Sequence, residues 1–67
     1  MNRIGIIANL TKDRDGAKTR KVVLKAIDIG LEVLLMPDTY SIIKKGVEIS
    51  EKEFYKEIEG ILVLGGD

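Results

Sequence analysis

The stretch that decides the fold is I-G-I-I-A-N-L, residues 4 to 10. It is almost wholly apolar and shows no alternation of apolar and polar residues. Such a run is typical of a strand that is covered on both faces, as in a parallel sheet. We therefore expect residues 4 to 10 to form the central first strand of an α/β domain.

A helix and a second strand are predicted after this strand. The charged loop K-D-R-D-G, residues 12 to 16, leads into apolar residues that recur on one helix face from Val22 to Ile27. Gly30 follows as a left-handed helix end. Residues 33 to 36 are a second apolar run, and Pro37 stops it because proline cannot donate to a strand ladder.

The rest of the chain predicts two short helices and a third strand. Residues 38 to 46 are consistent with one or two helical turns, with Asp38 as the N-cap and Gly46 as the end. S-E-K-E, residues 50 to 53, has the capping-box spacing of a helix start. Residues 61 to 64 then form the third apolar run, which predicts a strand.

The element order predicts a three-stranded parallel sheet with strand order 2-1-3 and helices on both faces. Right-handed crossovers in the order 1-2-3 would put both helices on one face, whereas the order 2-1-3 covers both. Strands one and three are then neighbours, and a crevice lies beyond their carboxyl ends. Asn9 and the sequence Gly65-Gly66-Asp67 are expected to face this crevice together.

Composition excludes several classes of function. The 67 residues include neither cysteine nor histidine, so disulfides, thiolate metal sites and imidazole chemistry are ruled out. The 11 basic residues balance the 11 acidic residues, so no net field favours nucleic acid or an acidic membrane. Because no signal peptide or membrane span is recognisable, we expect a cytoplasmic protein.

The final residues Gly65, Gly66 and Asp67 have the chemistry of a phosphate-handling site. Glycines directly after a strand let the backbone approach a ligand, and their N–H groups can point at a phosphate. An aspartate at a strand end can accept a hydroxyl proton. The alternative is a plain turn, since all three residues are turn formers.

Three segments, R-I-G-I-I-A-N at residues 3 to 9, E-V-L-L at residues 32 to 35 and I-L-V-L-G-G-D at residues 61 to 67, resemble the N-terminal part of the NAD kinase family. The hallmark of that family is Gly-Gly-Asp-Gly-Thr after an apolar strand. The match covers residues 1 to 67 as an N-terminal α/β nucleotide-binding domain of Rossmann or flavodoxin type. We therefore expect this chain to be a fragment of a larger protein, cut within the motif.

The resemblance implies transfer of the γ-phosphoryl group of ATP, or of polyphosphate, to the ribose 2′-hydroxyl of NAD to make NADP. Mg²⁺ or another divalent cation usually accompanies the phosphates. Asp67 matches the catalytic aspartate that orients or deprotonates the hydroxyl, and Gly65 and Gly66 match glycines that admit the nucleotide. Asn9 matches the asparagine after the first strand, although Leu10 replaces the proline that often follows it. For Asn9, capping of the backbone is an equal alternative to ligand contact.

Other functions fit parts of the same pattern. Lipid kinases of the diacylglycerol or sphingosine type also carry Gly-Gly-Asp-Gly, but they typically show Asn-Pro and a Ser-Gly-Lys-like loop that N-L-T-K-D-R-D-G lacks. Lys12, Arg14 and Lys18 could face phosphates, yet a solvated loop explains them. A non-catalytic binding or assembly module is the third alternative, and we expect residues 1 to 67 alone to be inactive. The edge of the third strand predicts homo-oligomers.

Overall fold

The computed structural model describes residues 2 to 64 and shows an α/β chain with a parallel sheet. The strands are β1 (Arg3–Ile7), β2 (Glu32–Leu35), β3 (Val47–Glu48) and β4 (Gly60–Val63). The helices are α1 (Ala17–Asp28), α2 (Pro37–Ile43) and α3 (Glu51–Glu57). The first strand is thus shorter than predicted: it begins at Arg3 rather than at Ile4 and ends three residues before Leu10.

The sheet has four strands in the order β3-β2-β1-β4, so the prediction of three strands was wrong. The strand that was missed, β3, has only two residues and pairs through Leu34 with Val47 and through Leu35 with Glu48. Two residues leave no periodic signal in a sequence. Gly46, with φ of 87°, turns the chain into β3 and was taken for a helix end instead.

The central position of β1 is confirmed. It pairs in parallel with β2 on one side and with β4 on the other, in the register Gly5 with Leu34 and Gly5 with Ile61. The predicted order of the three longer strands, 2-1-3, is therefore the order of β2, β1 and β4. As predicted, the carboxyl ends of β1 and β4 are neighbours.

Helices lie on both faces of the sheet. Val23 and Ala26 of α1 and Ile43 of α2 form one buried cluster with Ile6 of β1 and with residues of β2. The helix α3 lies on the opposite face, where Phe54 is fully buried and contacts β1 at Gly5. Successive residues of β1 therefore face opposite layers: Ile6 packs with α1 and α2, and Gly5 faces Phe54 of α3.

The helix ends agree with the sequence at two places and differ at two. Gly30 has φ of 95° after α1, and the Ser50 hydroxyl accepts a hydrogen bond from the Glu53 amide at 3.3 Å. Asp38 is not the N-cap of α2, because Met36 takes that position and Pro37 opens the helix. Lys44, with φ of 57°, rather than Gly46, ends it.

None of the helices within residues 2 to 64 is long and apolar enough to cross a bilayer. The longest, α1, has 12 residues. A transmembrane helix needs about 20 predominantly apolar residues.

Candidate functional site

A crevice of about 450 Å³ lies beyond the carboxyl ends of β1 and β4. The two strands remain hydrogen-bonded up to its rim, where the Leu64 amide donates to the Ile7 carbonyl at 2.8 Å. Its lining comes from the end of β1 and the following loop, from the end of β4, and from the start of α2: Ile7, Ala8, Asn9, Leu10, Thr11, Asp38, Val63 and Leu64. The crevice is at the place that the sequence predicts.

Asn9 lines the crevice and also organises the loop that leaves β1. Its side-chain oxygen Oδ1 accepts hydrogen bonds from the Thr11 amide at 3.1 Å and from the Lys12 amide at 3.4 Å. Its main-chain carbonyl accepts from the amides of Lys12 and Asp13. The backbone-capping role is thus present, and it holds the asparagine at the crevice wall.

Gly65, Gly66 and Asp67, the other predicted site residues, lie outside the described residues. The structure does describe the two residues that directly precede them in the sequence. Val63 and Leu64 line the crevice, and Gly65 is the next residue in the sequence. The proximity of Asp67 to Asn9 remains a prediction.

Asp38 is a crevice residue that the sequence analysis assigned to a different role. It is exposed, it follows β2 by three residues, and its carboxylate oxygen Oδ1 accepts from the Thr39 amide at 2.8 Å. The signal for it was its position after a strand that neighbours β1, since all carboxyl ends of a parallel sheet point to one edge. A carboxylate here can accept hydrogen bonds from ligand hydroxyl groups.

The loop between β1 and α1 uses its carboxylates to cap the helix. The Asp13 carboxylate accepts from the Thr19 amide at 2.8 Å, from the Thr19 hydroxyl at 2.7 Å and from the Lys18 amide at 3.3 Å. Asp15 accepts from the Ala17 amide at 3.1 Å. The first amides of α1 are therefore already bonded to carboxylates, which leaves this helix start unsuited to a phosphate group.

The hydrogen bonds from Thr19 lower the pKa of Asp13, because they stabilise the ionised carboxylate. Thr19 itself is buried. The basic residues of this segment, Lys12, Arg14 and Lys18, are exposed. Their side chains fit the simpler interpretation that the sequence offered, a solvated loop.

Within residues 2 to 64, no group of three or more acidic side chains is placed to hold a metal ion. The described part of the crevice offers one carboxylate, Asp38, together with the Asn9 amide and the Thr11 hydroxyl. Mg²⁺ in phosphoryl-transfer sites is commonly held by one or two carboxylates and by the substrate phosphates. Oxygen donors of this number fit a cation that arrives with its phosphates, not a cation caged by the protein.

Comparisons with models of protein families, with curated protein sequences and with solved structures find no match to this chain. The α/β fold class is therefore assigned from the strand order and the parallel pairing of the sheet. The chemistry of the site stands on the crevice and on the residues that line it.

Proposed function

We propose that this chain is the N-terminal α/β part of a kinase that transfers the γ-phosphoryl group of ATP, or of polyphosphate, to the ribose 2′-hydroxyl of NAD. The observation that carries the proposal is the shared crevice at the ends of β1 and β4. Asn9 lines it from one strand, and Leu64, the residue before Gly65-Gly66-Asp67, lines it from the other. The proposal includes a cytoplasmic location, with ATP and NAD as the substrates.

The strand order supports a Rossmann-like domain. The order β3-β2-β1-β4 matches the first four strands of the doubly wound order 3-2-1-4-5-6, in which nucleotides bind where the winding reverses. The reversal here lies between β1 and β4. The usual glycine-rich phosphate turn after the first strand is missing, since residues 8 to 15 contain no glycine. Phosphate contacts are accordingly assigned to Gly65 and Gly66 rather than to the start of α1.

The residues have distinct roles in this proposal. Asp67 accepts a hydrogen bond from the ribose 2′-hydroxyl, orients it toward the phosphorus and takes its proton as the oxygen attacks. Gly65 and Gly66 let the backbone approach the nucleotide. Asn9 fixes the opposite wall through its bonds to the amides of Thr11 and Lys12.

A divalent cation would neutralise charge on the phosphates during transfer. Asp38, the carboxylate among the described residues that line the crevice, would help to hold that cation. The protein's own contribution is positional. Phosphoryl transfer needs little covalent chemistry from the enzyme, so a strand-end carboxylate and a shaped crevice supply what the chain must provide.

The test is NADP formation by the full-length protein that contains this chain, supplied with NAD, Mg²⁺ and either ATP or polyphosphate. We expect turnover in the wild type, and a loss of about 10²- to 10⁴-fold in Asp67→Asn with the circular dichroism spectrum unchanged. Turnover of the variant at the wild-type rate would overturn the role of Asp67. A well-folded wild type that makes no NADP would overturn the proposal.

A lipid kinase is the second candidate, because its glycine-glycine-aspartate motif also follows a strand. The same protein should then phosphorylate diacylglycerol or sphingosine in mixed micelles and leave NAD unchanged. The absence of a Ser-Gly-Lys-like loop after β1 favours the nucleotide substrate, since residues 9 to 16 are N-L-T-K-D-R-D-G. Absence of both activities in the folded wild type would support the non-catalytic module.

A further inference from the structure

An apolar groove of about 360 Å³ runs along α1 on the face of the sheet opposite α3. Its lining consists of six apolar residues and two lysines: Ile4, Lys21, Val22, Lys25, Ala26, Ile29, Leu31 and Leu62. Ile29 is 63% exposed and Leu62 is 37% exposed. Parallel sheets are normally covered on both faces, so this surface is typical of one that another element covers.

The sheet topology indicates that a helix connecting β4 to a further strand would not cover this groove. Right-handed connections place α1 and α2 on one face as the chain moves from β1 outward to β3, and α3 on the other face as it returns to β4. A further strand beyond β4 would continue in the direction of that return. Its connecting helix would therefore lie beside α3, and the groove on the α1 face would remain open.

The positive charge at the rim of the groove favours a partner with negatively charged side chains. Lys21 and Lys25 are exposed, and no carboxylate of residues 2 to 64 forms a salt bridge with either. They are four residues apart on α1, a separation of about 6 Å along the axis. Two carboxylates four residues apart on a neighbouring helix have the same spacing.

We propose that the groove binds an acidic amphipathic helix, with its apolar stripe on Val22, Ile29 and Leu62 and with carboxylates paired to Lys21 and Lys25. A helix packed alongside α1 at about 8 to 10 Å would cover the floor of the groove. The lysine stems lie along the apolar surface while their ammonium groups stay at the rim. This site is separate from the crevice, which lies beyond the ends of the strands.

The test uses the full chain, labelled with ¹⁵N, and two synthetic helices that share one leucine stripe. One helix carries glutamates four residues apart beside the stripe, and the matched control carries lysines at those positions. We expect the acidic helix to shift the amide resonances of Val22, Ile29 and Leu62 and to bind about three- to tenfold more tightly than the basic one at low salt. The double variant Lys21→Glu, Lys25→Glu should reverse this preference while keeping the wild-type circular dichroism.

Four outcomes would overturn the proposal. Equal binding of the two peptides, or binding of neither, would show that the lysines select nothing. Shifts of Val22 and Ile29 on α1 that depend on protein concentration without peptide would assign the groove to a second copy of the chain. Shifts induced by phosphatidylserine-containing vesicles but by neither peptide would assign it to a membrane surface.

Discussion

The ring of Phe54 occupies the space that a side chain at Gly5 would need. A Cβ atom at position 5 would lie 2.4 Å from Cζ of Phe54 and 2.8 Å from Cγ2 of Ile58. Phe54 is fully buried although α3 has only seven residues. The absence of a side chain at Gly5 in the central strand is therefore what lets a short helix seat the ring of Phe54 on the sheet.

We predict that Gly5→Ala destabilises the chain by about 1 to 3 kcal/mol, because the new methyl group overpacks a filled core. Chemical denaturation at neutral pH measures the change. Gly60→Ala is the matched control, since Gly60 also lies in a strand and a Cβ there meets nothing within 4 Å. Equal losses in the two variants would contradict the role assigned to the contact with Phe54.

The same contact shows what could be predicted from the sequence. The unbroken apolarity after Ile4 predicted a central strand, since both faces of such a strand need cover, and this was confirmed. The pairing of Gly5 with Phe54 could not be predicted, because it depends on the register and on the face chosen by α3. The strand β3 was not predicted for a related reason. Its two residues form a strand because they pair with β2, and they show no sequence pattern of their own.

The crevice was predicted at its place in the fold, but Asp38 was not predicted to line it. The crevice and Asn9 followed from strand order alone. Asp38 was assigned to capping because a helix start was expected there, whereas Pro37 opens that helix and leaves Asp38 at the crevice. The positions of the strand ends in three dimensions bring Asp38 and Asn9 to one crevice.

Asp13→Asn should lower the melting temperature at pH 6, because the ionised carboxylate bonds Thr19 and Lys18 at the start of α1. The pKa of Asp13 is lowered from 3.8 in the folded chain, so its stabilising effect is full above that value and is lost as the pH falls through the lower, folded-state pKa. The difference between wild type and variant should therefore shrink below pH 3.8.

Thermal melts at a series of pH values measure this effect. Asp28→Asn provides the control, because this exposed carboxylate ends α1, where the negative end of the helix disfavours it. Its removal should leave the melting temperature equal or slightly higher. A difference between wild type and Asp13→Asn that stays constant down to the lowest pH would contradict the assignment.

Arg20 links α1 to the end of α2. Its guanidinium nitrogen Nη2 donates to the Ile42 carbonyl at 2.8 Å and to the Ile43 carbonyl at 3.4 Å, which are among the last carbonyls of that helix. Arg20→Ala should cost roughly 1 kcal/mol and speed amide exchange in α2. Lys21→Ala, one residue along and exposed, should do neither. Identical exchange rates in α2 for the two variants would refute the link.

The edge of β4 predicts self-association of residues 1 to 67. Ile61, Leu62 and Val63 are exposed, and within residues 2 to 64 β4 pairs only with β1. We expect light scattering to show an average mass that rises with concentration. Val63→Lys should suppress the rise, because a charge on an edge strand discourages pairing with another chain. A single monomeric mass for the wild type at high concentration would contradict this prediction.

Substitution can separate the structural role of Asn9 from a role in ligand binding. Aspartate keeps the side-chain oxygen that accepts hydrogen bonds, but it adds a negative charge. Asn9→Asp keeps a side-chain oxygen acceptor for the Thr11 and Lys12 amides, so its melting temperature should lie above that of Asn9→Ala. Asn9→Ala loses that acceptor and should cost roughly 1 kcal/mol. If the full-length protein has the proposed kinase activity, the added charge of Asn9→Asp would repel nucleotide phosphates and should raise KM for NAD or ATP about tenfold or more. A wild-type KM in Asn9→Asp, with a destabilised Asn9→Ala, would restrict Asn9 to holding the loop.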